Sequence, residues 1–328
     1  MMQAPLVSLL AVTGLLSLAA RLTAGPLALP AFGLSVIAVQ LGLLMFFGIA
    51  LSLQLATDSI RLAPRFVRAD DGHVDIRSLV RSLDKPCGKS ILIVLIAGYG
   101  IAATANLAEV YRVSSSRWHD HLLWNLEEPI FTALLASSFN SPRFWDAVYQ
   151  ALWLVLFMGL GGLARTGRLR QMVEALCAVV IAFHLTRYIA IAFPTAGPVF
   201  HRPELFDLAG TGSAAFVELL RDYMAGRVSQ NSLLPGTQAL PSLHVGLAWC
   251  AVLVMAREWK WTLWLTLPWF VLNWLATMFL GWHYFVDGIG GIFVMSTALW
   301  TSRRLISYVC DRASRRQLER RSGAGPFE

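Results

Sequence analysis

The sequence predicts an all-α membrane protein, a polytopic bundle of about eight transmembrane helices. Of its 328 residues 56% are hydrophobic and only 14% are charged, and the mean hydropathy is +0.57. A soluble domain carries about 25% charged residues, so a soluble core cannot absorb this composition. Several apolar runs reach or approach the roughly 20 residues that a helix needs to cross a bilayer. Because backbone polar groups in hydrocarbon must be satisfied within the chain, these runs are expected to be helical.

Charged breaks divide the sequence into eight apolar runs, which are the predicted spans. They lie near residues 5–20, 31–55, 91–108, 145–164, 172–193, 242–256, 262–281 and 284–302. The first run lacks the basic start and the small-residue cleavage site of a signal peptide, so we expect it to be retained. Between Val110 and Asp146, the apolar piece Ile130 to Ala136 is too short to cross and is expected to be interfacial or re-entrant.

The distribution of Lys and Arg predicts the orientation. The segments after the second, fourth, sixth and eighth spans hold seven, three, two and seven of these residues, which is 19 of the 27 in the chain. The positive-inside rule places those segments and both termini in the cytoplasm. We therefore expect an integral protein of a bacterial inner membrane, with its other loops on the periplasmic side. This topology accounts for the net charge of +7, so nucleic-acid binding is not expected.

Three polar clusters, far apart in sequence, fall on the same outer face under this topology. His184 and Arg187 lie in the fifth span, residues 241–244 read Pro-Ser-Leu-His at the start of the sixth, and His283 and Asp287 stand where the seventh span turns into the eighth. Ionisable residues in or beside spans are costly and are functional hypotheses by default. His184 is expected to be a packing histidine, and Arg187 could instead snorkel to the interface.

Residues of this type can carry out phosphoryl chemistry. A carboxylate four residues after His283 can reach its ring in a helix, so Asp287 could fix the imidazole tautomer and stabilise the imidazolium. His283 would then attack phosphorus, while His244 would protonate the departing oxygen and later deprotonate an incoming hydroxyl. Ser242 is a natural N-cap at a helix start that favours anions, and Arg187 could bond two phosphate oxygens. We therefore predict Ser242 and Arg187 as phosphate-binding residues.

At these positions the chain resembles the type 2 phosphatidic acid phosphatase superfamily, over about Val173 to Ser302. That family has the motifs K-x6-R-P, P-S-G-H and S-R-x5-H-x3-D. The second survives here at residues 241–244, and the third as His283 with Asp287. The family's Lys and Arg of the first motif and its Ser-Arg pair of the third are replaced by Thr186, Phe193, Ala276 and Thr277.

These departures remove three phosphate-binding cations, which disfavours a simple phosphomonoesterase because a dianion needs more positive charge than a diester. The pattern is most similar to the branch containing inositol phosphorylceramide synthase. In that branch the H-x3-D histidine is the nucleophile and the P-S-x-H histidine the proton shuttle, so the resemblance assigns these roles to His283 and His244. It implies no metal or organic cofactor, and no cluster in the sequence has metal-ligand spacing.

The expected function is a membrane lipid phosphotransferase that moves a phosphoryl or phospho-alcohol headgroup, such as phosphoinositol, from a phospholipid to a lipid hydroxyl through a phosphohistidine. One alternative is a lipid phosphate or polyprenyl pyrophosphate phosphatase, with water as the acceptor. Another is a non-enzymatic transporter or scaffold, in which the histidines form a relay or a structural cluster. The expected partners are the membrane, a phospholipid donor and a lipid or water acceptor, and the oligomeric state is not predicted.

We expect three parts along the chain. Residues 1–144 hold N-terminal spans, a basic cytoplasmic connector over residues 61–89 and an outer interfacial segment. Residues 145–302 form the transmembrane catalytic core. Residues 303–328 form a basic cytoplasmic tail. The long outer segment 194–240 is expected to cap the pocket, because loops of this length are commonly functional. In the other outer segment, the residues expected mainly to solvate the interface are His119, His121, Glu127 and Glu128.

Overall fold

A computed structural model describes residues 3–28, 32–66, 76–114, 118–227 and 238–322, and these residues contain helices and no strand. The α-helices in chain order are α1 (Gln3–Ala24), α2 (Phe32–Phe66), α3 (Ile76–Ala103), α4 (Ala108–Ser114), α5 (Asp120–Leu135), α6 (Pro142–Arg165), α7 (Leu169–Ala192), α8 (Pro198–His201), α9 (Gly212–Met224), α10 (Leu243–Glu258), α11 (Leu263–Phe279) and α12 (Phe285–Ser322). Four short 3-10 turns occur at Gly25–Leu27, Thr104–Leu107, Pro203–Leu205 and Lys260–Thr262.

The predicted all-α polytopic bundle is confirmed. Among the described residues, seven segments are long and apolar enough to cross a membrane: Gln3–Leu27, Phe32–Gln54, Gly88–Val113, Pro142–Arg165, Leu169–Ala192, Lys260–Phe279 and Phe285–Gln317. The predicted sixth span is α10, which has 16 residues and is therefore about 24 Å long. This helix is enclosed by α6, α7, α11 and α12, so it completes the bundle interior without needing the full bilayer thickness.

Helix α7 lies at the centre of the bundle, in contact with α1, α3 and α12. Most of its side chains are buried, although Leu185 and Ile189 remain exposed. Helix α12 runs past residue 302 without a break, so the predicted boundary between core and tail falls inside a helix. The division of the chain into three parts remains a prediction, and residues 67–75 of the predicted basic connector lie outside the described residues.

The short interfacial piece predicted at Ile130 to Ala136 is the end of a longer helix, α5. The buried side chains of α5 are Asp120, Trp124, Glu127 and Phe131. Their spacing of four, three and four residues forms one helical face. Two of these four buried residues are carboxylates, which is why the hydropathy of the sequence did not indicate a packed helix here.

Helices α10 and α12 approach closely where their N-terminal ends meet. A Cβ atom at Gly291 would overlap the carbonyl oxygen of Ser242, and one at Gly246 would lie 3.0 Å from the carbonyl oxygen of Gly291. The amide of Ser242 also donates to the carbonyl of Asp287 at 2.8 Å. Small residues thus allow the two helices that follow the P-S-x-H and H-x3-D motifs to start side by side.

Candidate active site

One cavity of about 240 Å³ brings the predicted reactive side chains together. Arg187 from α7, His244 from α10 and His283 from the turn before α12 all line it. The other lining residues are mostly apolar or aromatic: Tyr149, Trp153, Phe183, Ala196, Phe200, Phe216, Leu220, Gln238, Leu243, Leu247 and Trp282. Two imidazoles and a guanidinium therefore face a common space whose remaining wall is largely non-polar.

The ring of His283 is oriented by a backbone carbonyl. Its Nδ1 lies 2.9 Å from the carbonyl oxygen of Ala239. Because a carbonyl oxygen only accepts, Nδ1 carries the hydrogen and Nε2 keeps the lone pair. The nearest oxygen of Asp287 is 3.6 Å from Nδ1, which is too long for a hydrogen bond. The prediction that Asp287 fixes the tautomer is therefore corrected: Ala239 orients the ring, and Asp287 supplies a nearby negative charge.

Asp287 makes its direct contact with the start of helix α12. Its Oδ2 accepts from the amide of Tyr284 at 2.7 Å, the reciprocal bond of a capping box. The helix begins at Phe285, so His283 precedes it, and the two residues meet through this cap instead of along one helical face. Asp287 is fully buried, and its Oδ1 has no hydrogen-bond partner in the described part of the chain.

His244 stands in the first turn of α10, where its ring stacks on Tyr149 with 3.8 Å between centroids and 6° between planes. Its Nε2 has no hydrogen-bond partner among the described residues. Ser242 is the N-cap of α10, and its hydroxyl accepts from the amide of Val245 at 3.2 Å. Ser242 does not line the cavity, so its contribution to phosphate binding remains a prediction, acting through the helix start that it caps.

Arg187 does not snorkel to an interface, because only 5% of its surface is exposed and it lies in the cavity wall. Its guanidinium carbon lies over the ring of Tyr111, 5.9 Å from the centroid. Nη1 has no hydrogen-bond partner among the described residues. A buried cation without an acceptor is costly, so the site is prepared for an anion.

His184 is a packing residue, with Nδ1 2.9 Å from the carbonyl oxygen of Val180.

The residues that replace the resembled family's cations do not reach the cavity. Thr186 and Thr277 donate their hydroxyls to the carbonyls one turn earlier, and Phe193 stacks on His119 at 4.2 Å between centroids. Among the residues that line the described cavity, Arg187 is the one with a permanent positive charge. It stands one position after Thr186, so a cation is present but shifted along α7.

A family model described as the PAP2 superfamily matches residues 116–301, more than half of the chain. The chain belongs to the PAP2 superfamily. Membership supports lipid phosphatase or phosphotransferase activity and confirms the superfamily resemblance, whereas the inositol phosphorylceramide synthase branch is not confirmed. Comparisons with curated proteins and with solved structures gave no match.

The superfamily match begins well before Val173, the start of the resemblance in the sequence, and it includes helix α5. The expectation that Glu127 of this helix solvates the interface is wrong, because Glu127 is 3% exposed. Its two carboxylate oxygens accept from the amides of Phe285 and Val286 at 2.6 and 2.9 Å. Glu127 therefore satisfies the first amides of α12, directly after His283.

Asp120, at the start of the same helix, holds the segment after α7, whose residue Ala196 lines the cavity. Its carboxylate accepts from the amides of Ala196 and Gly197, both at 2.8 Å, and from the hydroxyl of Tyr284 at 3.2 Å. Burial raises the pKa of Asp120 above its usual range, while the two amides oppose that rise. Sequence reasoning missed Asp120; its one signal was a spacing of seven residues from Glu127, two turns of a helix.

The described residues of segment 194–240 lie over the cavity. Phe216 and Leu220 of α9 line the cavity, and residues 228–237 lie outside the described chain. Hydrogen bonds join the start of α9 to α6: Asp146 of α6 accepts from the amide and the hydroxyl of Ser213 in α9, at 3.2 and 2.6 Å. Ser213 in turn accepts from the indole of Trp282 at 3.2 Å, which links this cover to the residue before His283.

We predict that Glu127→Gln lowers turnover at least about tenfold while the protein stays folded, because a charge-assisted bond to the backbone beside His283 is lost. The measurement is the steady-state rate with a lipid phosphoester in detergent, with size-exclusion chromatography to check folding. Glu128→Gln is the matched control, since Glu128 is the next residue in α5 and is exposed. Equal rates for the two variants would contradict this positioning role.

Proposed function

We propose that the protein is a membrane lipid phosphotransferase, which moves a phosphoryl or phospho-alcohol headgroup from a phospholipid to a lipid hydroxyl. The observation that carries this proposal is one cavity lined by His244, His283 and the buried Arg187, whose Nη1 has no hydrogen-bond partner among the described residues. A phosphate in this cavity would neutralise the guanidinium and lie within a space that both imidazoles face. Superfamily membership supports the coarser activity, a lipid phosphatase or phosphotransferase.

In the first step, Nε2 of His283 attacks phosphorus, and the bond from phosphorus to the oxygen of the lipid alcohol breaks. A protonated His244 gives its proton to that departing oxygen. The product is a phosphohistidine whose imidazole ring is cationic, with Nδ1–H still donating to Ala239. The carboxylate of Asp287, 3.6 Å from Nδ1, stabilises this positive ring.

In the second step, the hydroxyl of the acceptor gives its proton to His244 while its oxygen attacks phosphorus. The bond between Nε2 and phosphorus breaks, and His283 returns to its neutral form with the hydrogen on Nδ1. His244 is protonated again and ready for the next donor, so the cycle balances without another reactant.

The charge of the site favours transfer of a diester headgroup. Arg187 is the one permanent cation in the wall of the described cavity, and a phosphodiester carries a single negative charge. A monoester dianion would need more positive charge for comparable stabilisation. The aromatic and aliphatic wall also favours a lipid alcohol over water as the acceptor. The phosphatase alternative shares every step except the acceptor.

The deciding experiment is an assay of purified protein in nanodiscs with radiolabelled phosphatidylinositol or phosphatidic acid, with and without ceramide or diacylglycerol. A new labelled lipid that depends on the acceptor supports the transferase. Release of inorganic phosphate from phosphatidic acid, or of inositol phosphate from phosphatidylinositol, at a rate independent of the acceptor would establish hydrolysis instead. No turnover of either donor, from folded protein, would favour the transporter or scaffold.

We predict that His244→Ala separates the two steps. With a lipid-like aryl phosphodiester, whose 4-nitrophenolate leaves without a proton, the variant should still release one equivalent of nitrophenol. The following transfer to a hydroxyl should slow about a hundredfold or more, because general-base help is lost. Acid-labile phosphohistidine would then accumulate, which is measured by rapid quench and mass spectrometry. Label on the His283→Ala variant would show that another residue is the nucleophile.

We predict that Arg187→Gln lowers kcat/KM about ten- to a hundredfold, the value of a charge-assisted hydrogen bond to the phosphate. Arg187→Lys should recover part of this loss, which a purely structural role would not allow. Arg227→Gln is the control, because Arg227 is exposed at the same end of the bundle and pairs with Asp222 at 2.8 Å. An unchanged kcat/KM in Arg187→Gln would remove Arg187 from the site.

We also propose that the cavity faces the periplasm, which rests on the 19 Lys and Arg residues in segments assigned to the opposite side. A cysteine placed at the exposed Glu128 of α5 should react with a membrane-impermeant maleimide on intact cells. Labelling only after the cells are permeabilised would reverse the orientation. The native cysteines provide the background, measured in the unsubstituted protein.

A further inference from the structure

A second cavity of about 250 Å³ lies in the interior of the helical bundle. Its wall is made by helices α2, α3, α6, α7 and α10, and every residue that lines it is apolar or aromatic. It exceeds the roughly 150 Å³ of an engineered apolar cavity that stays dry and binds benzene. A space of this character suits hydrocarbon and offers no partners to water.

Three residues border both this cavity and the catalytic cavity: Trp153, Phe183 and Leu247. Each lies one helical turn from a residue of the catalytic cavity. Trp153 follows Tyr149 by four residues in α6, Phe183 precedes Arg187 by four in α7, and Leu247 follows His244 by three in α10. Because three helices show the same offset, the second cavity lies directly beneath the first, about 5–6 Å further along the bundle axis.

The second cavity continues away from the catalytic cavity along the same helices. In α6 its wall extends from Trp153 to Leu160, and in α7 from Phe183 back to Leu176. Seven residues of α-helix correspond to about 10 Å. The two cavities together place Arg187, His244 and His283 at one end and a wholly apolar wall at the other, which matches a lipid with its phosphoester at one end.

We propose that this second cavity holds the hydrocarbon chain of the lipid whose phosphoester occupies the catalytic cavity. The proposal rests on the proposed function, which makes a membrane lipid the substrate, and it names the part of the protein that selects for a long chain. Leu247 belongs to the helix that carries His244, so the chain is that of the alcohol leaving on the His244 side. The wall from Val39 to Phe46 in α2 precedes residues 116–301, so this subsite is partly built outside the PAP2 match.

Gly42 allows a direct test. It borders the second cavity, and a Cβ atom built on it meets nothing within 4 Å. Gly48 lies in the same helix, a Cβ there also meets nothing within 4 Å, and it is exposed on the outside of the bundle. Gly42→Phe therefore fills the cavity without a backbone clash, and Gly48→Phe is its matched control.

The first readout is turnover of dioleoyl- and dihexanoyl-phosphatidylinositol in mixed micelles. We expect Gly42→Phe to lower kcat/KM for the dioleoyl donor at least about tenfold, since the chain loses the contacts of a filled apolar cavity. The dihexanoyl donor should change less than about twofold, and Gly48→Phe should change neither. Equal losses for both donors, or no loss for either, would overturn the proposal.

The second readout does not depend on catalysis. Phosphatidylinositol with a diazirine on its acyl chain is photolysed with the protein, and the labelled peptides are identified. Leu176 and Val179 are each 4% exposed, so label there must come from inside the bundle. We expect this label in the unsubstituted protein, in Gly48→Phe and in His283→Ala, and its loss in Gly42→Phe.

The two readouts separate this proposal from the proposed function. Internal label without turnover would leave the chain subsite standing and count against the transferase. Turnover without internal label, or internal label that Gly42→Phe does not remove, would leave the transferase standing and overturn the chain subsite. Internal label together with turnover that Gly42→Phe leaves intact for the dioleoyl donor would indicate a structural lipid, which also overturns it.

Discussion

The site depends on carboxylates that satisfy backbone amides inside a membrane-embedded bundle. Amides at helix starts lack partners within their own helix, and in an apolar setting water does not supply them. Here Glu127 accepts from two amides of α12, Asp287 from the amide before them, and Asp120 from two amides of the segment that follows α7. These bonds hold the turn that carries His283 and the segment 196–197, so the position of His283 is set by helix capping.

The same interactions arrange the charges of the site. The carboxylates accept from backbone amides, and in the described part of the chain Oδ1 of Asp287 and Nη1 of Arg187 are left without a hydrogen-bond partner. Arg187 places a permanent positive charge in the cavity wall, although the positions that carry cations in the resembled motifs hold Thr186, Phe193 and Thr277. One cation beside two imidazoles fits a singly charged phosphodiester, which is the chemical basis of the proposed transfer.

Packing of helices α2 and α3 against the PAP2 region creates the second cavity next to the catalytic cavity. Helices α6, α7 and α10 each place a reactive or aromatic residue in the wall of the catalytic cavity. One turn further along, each places an apolar residue in the wall of the second cavity. Helix α2, which precedes the matched residues 116–301, forms part of the wall of the second cavity. The proposed chain subsite would give α2 a function in substrate selection, which its sequence did not indicate because it contains no motif.

The sequence by itself determined the helical membrane fold and the superfamily, and it singled out His244 and His283, which line one cavity, because hydropathy is additive along the chain and the P-S-x-H and H-x3-D motifs are local. It also placed His184 correctly as a packing residue. Only the tertiary structure decided the roles of Asp120 and Glu127, the carbonyl that orients His283, and the burial of Arg187. The hydrogen bonds of Asp120, Glu127 and His283 join residues 44 to 164 positions apart. From the sequence alone a carboxylate is predicted to be exposed to solvent. Its amide partners lie far away along the chain and reach it only after folding, so a local sequence pattern does not indicate them.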